Sequence, residues 1–191
     1  MPASVPEIET RLRDILSKSR FEHVLRVADT AKKLASVYQA NEDLAFLAGL
    51  VHDSAKPMTP DTLGGYGISL DNDQRQLFAT YSPVWHAFVG AEVVEKLFDI
   101  NNAELIDSII YHTTGTANMS LLSEILFVAD FVEPGRKSSI SKELYPVAFE
   151  NLKKAIALIT QFTIEKLISR NLKIHPFTVD CYNYYLSYKS E

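Results

Sequence analysis

Five histidines occur in the 191-residue sequence, and four of them, His23, His52, His86 and His112, sit inside or at the end of strongly apolar stretches with helical spacing. A lone histidine on an apolar face is more often a core residue with its ring nitrogens satisfied than a ligand. Four of them, accompanied by Asp53 and Asp130, offer imidazole nitrogens and carboxylate oxygens without sulfur. That donor set suits iron, manganese, cobalt or zinc, provided the fold makes the residues converge. The adjacent pair His52-Asp53 is the most informative. Successive helical side chains diverge by about 100°, so the two cannot approach one ion from one direction, whereas a bidentate Asp53 can reach between two ions while His52 holds one. A pair of ions about 3.5 to 4 Å apart stabilises both the attacking and the leaving oxygen of a phosphoryl transfer. As a bare dipeptide His-Asp is common, and Asp53 would serve equally as a helix cap.

The separations are long: 29 residues from His23 to His52, 33 from Asp53 to His86, 26 from His86 to His112 and 18 from His112 to Asp130. None has the i, i+4 spacing of a zinc-protease helix, so each ligand must come from a different element. The elements are expected to be helices throughout, because no stretch shows sustained apolar/polar alternation. Phe21, Leu25, Ala28, Ala35 and Tyr38 form one apolar stripe of a long amphipathic helix. Asn41 predicts an N-cap, followed by acidic Glu42 and Asp43, for a short apolar helix that runs into His52 and Asp53 and ends at Pro57. The Gly-containing segment 59–73 predicts a loop with a short irregular helix. Further helices are expected at about 83–97, 102–111, 120–132, 145–170 and 176–188, with Pro83, Pro146 and Pro176 in first turns. The fold class is all-α, a helical bundle, in a single domain over residues 1–191.

Composition narrows the function. A net charge of −5 removes the broad positive field that nucleic-acid binders use, so an anionic substrate must meet a local pocket of cations. No signal peptide is read in Met1 to Thr10, and apolar runs such as Leu44 to Val51 fall short of the ~20 residues that cross a bilayer. A cytoplasmic protein with no nucleic-acid and no membrane partner is expected. Cys181 reads as packing. Lys56, one helical turn past His52, is placed to put a point charge on a phosphate, or else is a solvated lysine at a helix end. Arg136 follows a Pro-Gly turn beyond Asp130, where a guanidinium can grip phosphate with two prongs; its plainer reading is a loop arginine. Thr113, Thr114 and Gly115 directly follow His112, so their hydroxyls and amides are candidates for phosphate contact as well as ordinary helix-ending chemistry. Gly90, one turn after His86, predicts the close approach of another helix. The tyrosines at 182, 184, 185 and 188 read as core or subunit contact, which leaves a homodimer open.

The histidine at 23, the His52-Asp53 pair and the distal Asp130 resemble the pattern of the HD superfamily of metal-dependent phosphohydrolases. More narrowly, Arg20 to His23, HDSAKP at 52–57, YHTTGTANMS at 111–120, ADFVEPGR at 129–136 and KIHP at 173–176 resemble bacterial symmetrical bis(5'-nucleosyl)-tetraphosphatases of the YqeK type. The resemblance implies an HD-domain helical bundle that holds two metal ions, most often iron, with manganese or cobalt able to substitute. It implies hydrolysis of diadenosine tetraphosphate to two ADP, by attack of a metal-bound hydroxide on an inner phosphorus. It assigns His23, His52, Asp53 and Asp130 to one ion, and Asp53, His86 and His112 to the other. Asp53, Lys56 and Arg136 would be catalytic. Arg20 and the Lys173, Ile174, His175 segment would bind substrate, the latter in a nucleoside pocket. The sequence departs from the family pattern at Trp85-His86-Ala87, where a glycine often stands beside the histidine, and in the glycines at 64, 65 and 67.

A purely structural helical domain would leave the apolar-face histidines and paired acids unexplained, and two functional rivals stand beside this expectation. One is another HD-type nucleotide phosphohydrolase or phosphodiesterase, which product analysis separates. The other is a nonenzymatic nucleotide-binding sensor, which would be free to lose ligands that this chain retains.

Overall fold

A computed structural model describes residues 3–190. Among them every regular element is helical, in keeping with the 3.6-residue periodicity: α1 Val5–Ile15, α2 Lys18–Val37, α3 Glu42–Val51, α4 Pro60–Leu63, α5 Asn72–Phe98, α6 Ala103–Tyr111, α7 Leu121–Val132, α8 Ser139–Glu150, α9 Leu152–Ser169 and α10 Pro176–Tyr185. Short 3₁₀ turns follow α4 and α10. No helix of the described residues is long and apolar enough to cross a membrane.

The starts are written in cap residues. Ser17, Asn41, Asn102, Ser120 and Asn151 each accept a bond from an amide of the first turn of α2, α3, α6, α7 and α9. The apolar face of α2 is Phe21, Val24, Val27, Ala28, Ala31, Leu34 and Ala35, whereas Leu25 and Tyr38 of the expected stripe are only half-buried. The helix also begins before Phe21, at Lys18. Periodicity overlooked α1, which carries its own start signal: Ser4 and Glu7 form a capping box and Pro6 stands in the first turn, while Ile8 and Leu12 are fully buried.

Three boundaries differ from expectation. Helix α3 stops at Val51, and His52 to Met58 continue as successive turns, with Lys56 N–H bonded to the Asp53 carbonyl and Met58 N–H to that of Ala55. Helix α5 starts at Asn72, and Tyr81 (φ −135, ψ 43) breaks it in two, so that Pro83 falls in the first turn of the second part as expected. The stretch expected as one helix at 145–170 is two. Asn151, extended at φ −151 and ψ 100, ends α8 and caps α9, and Pro146 lies inside α8 rather than at a first turn. A cap of its own, rather than proline, makes that break.

One core draws on all the helices except α4. Helix α7 runs through it, with every residue from Leu122 to Ala129 buried, and delivers Asp130 at its end. A second, smaller core of Ala55, Met58, Leu63, Ile68, Leu70, Trp85, Val89 and Val93 fixes the turns after Asp53 and the loop around α4 against α5. Helices α2 and α3 meet at Gly49, where a Cβ would lie 2.6 Å from the Ala28 Cα. Because the obstacle is backbone, Gly49→Ala must push the two helices apart. We expect about 1 to 3 kcal/mol of destabilisation, read as a drop of several degrees in thermal unfolding. An unchanged midpoint would refute the contact. Gly90 plays the expected part: a Cβ there would stand 2.9 Å from Ile109 of α6.

Candidate metal centre

Five elements bring six side chains together: His23 from α2, His52 and Asp53 from the turns after α3, His86 from α5, His112 from the end of α6 and Asp130 from α7. The four histidines and Asp53 are buried and Asp130 is partly so. The Asp53 carboxylate divides the cluster. Its Oδ2 lies 3.8 Å from His23 Nε2 and 3.6 Å from His52 Nε2, while its Oδ1 lies 3.1 Å from His86 Nε2 and 3.7 Å from His112 Nε2. Asp130 Oδ1 joins the first side, 3.0 Å from His23 Nε2 and 3.8 Å from His52 Nε2. His86 and His112 face each other on the second side, Nε2 to Nε2 at 3.2 Å.

The other ring nitrogens fix the orientation. His52 Nδ1 lies 2.7 Å from the Gly49 carbonyl, His112 Nδ1 lies 2.7 Å from that of Ile109, and His23 Nδ1 lies 3.0 Å from Glu133 Oε1. Each of these partners is an acceptor, so each Nδ1 carries the proton and each Nε2 presents a lone pair inward. Among the buried polar atoms His23 Nε2 and His52 Nε2 have no hydrogen-bond partner. Lone pairs aimed at carboxylate oxygens repel unless a cation stands between them, so the residues fit a metal. Burial pushes His52 and His86 down to about 4, which keeps both neutral and able to ligate at pH 7. Burial by itself would raise the Asp53 and Asp130 carboxyls. The surrounding imidazoles at Asp53, which gain positive charge as the pH falls, and His23 with the Arg136 guanidinium at Asp130 outweigh it and hold both well below the usual carboxylate range.

Cations ring the cluster. Arg20 donates to Asp53 Oδ2 at 2.8 Å, and Arg136 donates to Asp130 through Oδ1 at 2.6 Å and the backbone carbonyl at 2.9 Å. Lys56 Nζ lies 3.3 Å from both ring nitrogens of His86. Beyond His112, Thr113 opens on a cavity of about 300 Å³ that is also lined by Tyr81, Val84, Lys173 and His175. The ring of His175 packs against Tyr81, Phe88 and Phe177, and its Nδ1 accepts the Phe177 amide as the N-cap of α10. Ile174 is half-buried and does not line the cavity. Thr114 and Gly115 turn to their own chain and not to the cavity. Thr114 is 1% exposed and donates its hydroxyl to the Gly115 carbonyl, and the Gly115 amide is bonded to the Tyr111 carbonyl. With φ +62 and no room for a Cβ against Cys181, Gly115 is a turn-and-packing glycine. Thr113 alone of the three faces the cavity, and its hydroxyl has no partner.

Residues 20–135, more than half of the chain and spanning all six side chains of the cluster, match the model of the HD domain. The chain belongs to the HD-domain family. Within this family it is 36% identical over 180 residues to the symmetrical bis(5'-nucleosyl)-tetraphosphatase of Staphylococcus aureus, covering 91% of this chain and 90% of the relative. It is 33% identical over 168 residues to the enzyme of the same name from Halalkalibacterium halodurans, covering 88% of this chain and 89% of the relative. The crystal structure of a predicted HD superfamily hydrolase from Clostridium acetobutylicum, described as involved in NAD metabolism, superimposes with a TM-score of 0.87 at 33% identity. The match covers 99% of this chain and 100% of that one.

The HD cluster has a brace that residue types alone did not reveal. Glu133, 2% exposed, holds His23 Nδ1 at 3.0 Å and accepts Arg26 Nε at 2.6 Å and the Gly135 amide at 2.5 Å. Gly135 has no room for a Cβ because the Arg26 guanidinium lies against it. Burial would raise the Glu133 carboxyl, but the bonds from Arg26 and His23 lower it overall, so it is ionised. Arg26 stands one turn after His23 and Glu133 three residues after Asp130, an offset that was the available signal. We expect Glu133→Gln to weaken metal affinity on the His23 side about 10- to 100-fold, measured by chelator competition. Unchanged affinity would show that Glu133 only packs.

Proposed function

We propose that this chain hydrolyses diadenosine tetraphosphate symmetrically to two ADP at a binuclear centre. His23, His52, Asp53 and Asp130 would hold one ion, and Asp53, His86 and His112 the other. The observation that carries it is the division of Asp53, whose two oxygens face two separate histidine pairs. The relatives' names support the substrate, and the nitrogen-and-oxygen donor set supports transition metals, with iron the first choice and manganese or cobalt as substitutes. Such ions supply Lewis-acid charge at phosphoryl oxygens and a water of lowered pKa.

The chain's own residues do the rest. Arg20, Arg136 and Lys56 surround the cluster and bind the tetraphosphate, Arg136 through a planar fork and Lys56 as a point charge. Lys56 and Arg136 thereby offset charge that builds on the inner phosphate and on the departing ADP. Thr113 donates its unpartnered hydroxyl at the step from phosphate to nucleoside. The cavity bounded by Tyr81, Val84, Lys173 and His175 takes one nucleoside, with aromatic and apolar walls for the base.

Protein supplied with iron(II) or manganese(II) should convert diadenosine tetraphosphate to ADP alone, resolved by anion-exchange chromatography. AMP with ATP would keep the metal centre and overturn the position of attack. No turnover with any metal would favour the nucleotide-binding sensor.

A further inference from the structure

Symmetrical cleavage requires room for two equal nucleotide halves, one on each side of the bond that breaks. Two cavities open beside the cluster. The first, described above, begins at Thr113, next to the ligand His112. The second, about 440 Å³, includes the ligand His86 itself and is walled by Lys56, Met58, Phe78, Ser82 and Pro83. Pro83 lines both cavities and separates them. The break in α5 at Tyr81 falls two residues before this shared residue.

We propose that the second cavity holds the other nucleoside of the dinucleotide, with the tetraphosphate passing over the metal cluster from one cavity to the other. The inference rests on the function proposed above. Its chemistry follows the order of groups along a nucleotide. At the mouth, Lys56 Nζ, 3.3 Å from the His86 ring, offers a positive charge to phosphate. Beside it, half-buried Phe78, buried Met58 and exposed Pro83 give a largely apolar wall on which a base can pack. Ser82 is exposed at the rim and supplies a hydroxyl for ribose or a base edge. The other cavities described here touch no metal ligand. One of them is lined by Glu92, Glu95 and Asp99 against a single cation, Lys96, a net negative lining for a phosphate chain.

The test uses the product as probe. Manganese-loaded protein is dialysed against ADP to saturation, and bound nucleotide is counted. Two ADP per chain are expected for the natural sequence and one for Ser82→Trp, whose indole fills the groove from an exposed position, with metal content unchanged. The same substitution should lower kcat/KM for diadenosine tetraphosphate about tenfold or more. Phe78→Leu, which keeps the core filled and removes the ring, should weaken the second ADP and leave the first. One ADP per chain in a protein that turns over diadenosine tetraphosphate would overturn the second subsite and leave the proposed reaction standing. Two ADP on Ser82→Trp with unchanged kinetics would overturn it equally. Failure of the natural sequence to hydrolyse diadenosine tetraphosphate is a separate result, which strikes the proposed reaction.

Discussion

Asp53→Ala is expected to lose both metal ions and to fall to background turnover. A single carboxylate faces both histidine pairs, so no other residue can keep either side complete once it is gone. On the His23 side only Asp130 would remain to balance the charge of an ion, and on the His86 side no carboxylate would remain among the assigned ligands. The fold should survive. Arg20, the cation left behind, is 34% exposed and can be solvated, so the loss is not that of a charge stranded in the core. Asp53→Asn keeps the volume and removes only the charge. It should resemble Asp53→Ala in metal content while unfolding like the natural protein. An Asp53→Ala protein that kept two metals and its activity would end the bridging assignment.

Arg136→Ala is expected to do something different: retain the metals and lose use of substrate. Its guanidinium is 37% exposed and binds Asp130 from the solvent side, which leaves donors free for a phosphate. A charge-assisted hydrogen bond is worth about 1.5 to 3 kcal/mol, so kcat/KM should fall roughly 10- to 150-fold. Arg136→Lys should recover part of this, because it restores charge without the planar fork. Kinetics and metal content measured on the same preparations separate the two ways in which Arg136 can act. Metal lost in step with activity would mean that the arginine works by holding Asp130.

The residues of the cluster were legible because each combined a rare residue type with an apolar setting. A histidine or aspartate in the middle of a buried face costs free energy unless something pairs with it, and four such histidines pointed to one purpose. Convergence itself was not legible, since every spacing is long. It depends on α2, α3 and α7 packing together, and at Gly49 this packing rests on a missing Cβ. The helices with strong caps were found at nearly their observed starts, as Asn41 and Asn102 show. Boundaries failed where two signals competed. Pro146 looked like a start and proved to be interior, because the cap at Asn151 sets the break. Thr114 and Gly115 were ambiguous for another reason: hydroxyls and amides look the same in sequence whether they face a ligand or their own chain, and here the Thr114 hydroxyl bonds the Gly115 carbonyl and the Gly115 amide the Tyr111 carbonyl. Glu133 was hidden because an acid that bonds the far nitrogen of a histidine is set by no spacing rule, although its offset from Asp130 matches that of Arg26 from His23.

The most direct measurement is anomalous diffraction from crystals of the manganese-loaded protein, collected on both sides of the manganese edge. Two anomalous peaks are expected, one among His23, His52 and Asp130 and the other beside His86 and His112, with the Asp53 carboxylate between them. A single peak, or peaks away from Asp53, would contradict the binuclear centre on which the proposed chemistry depends.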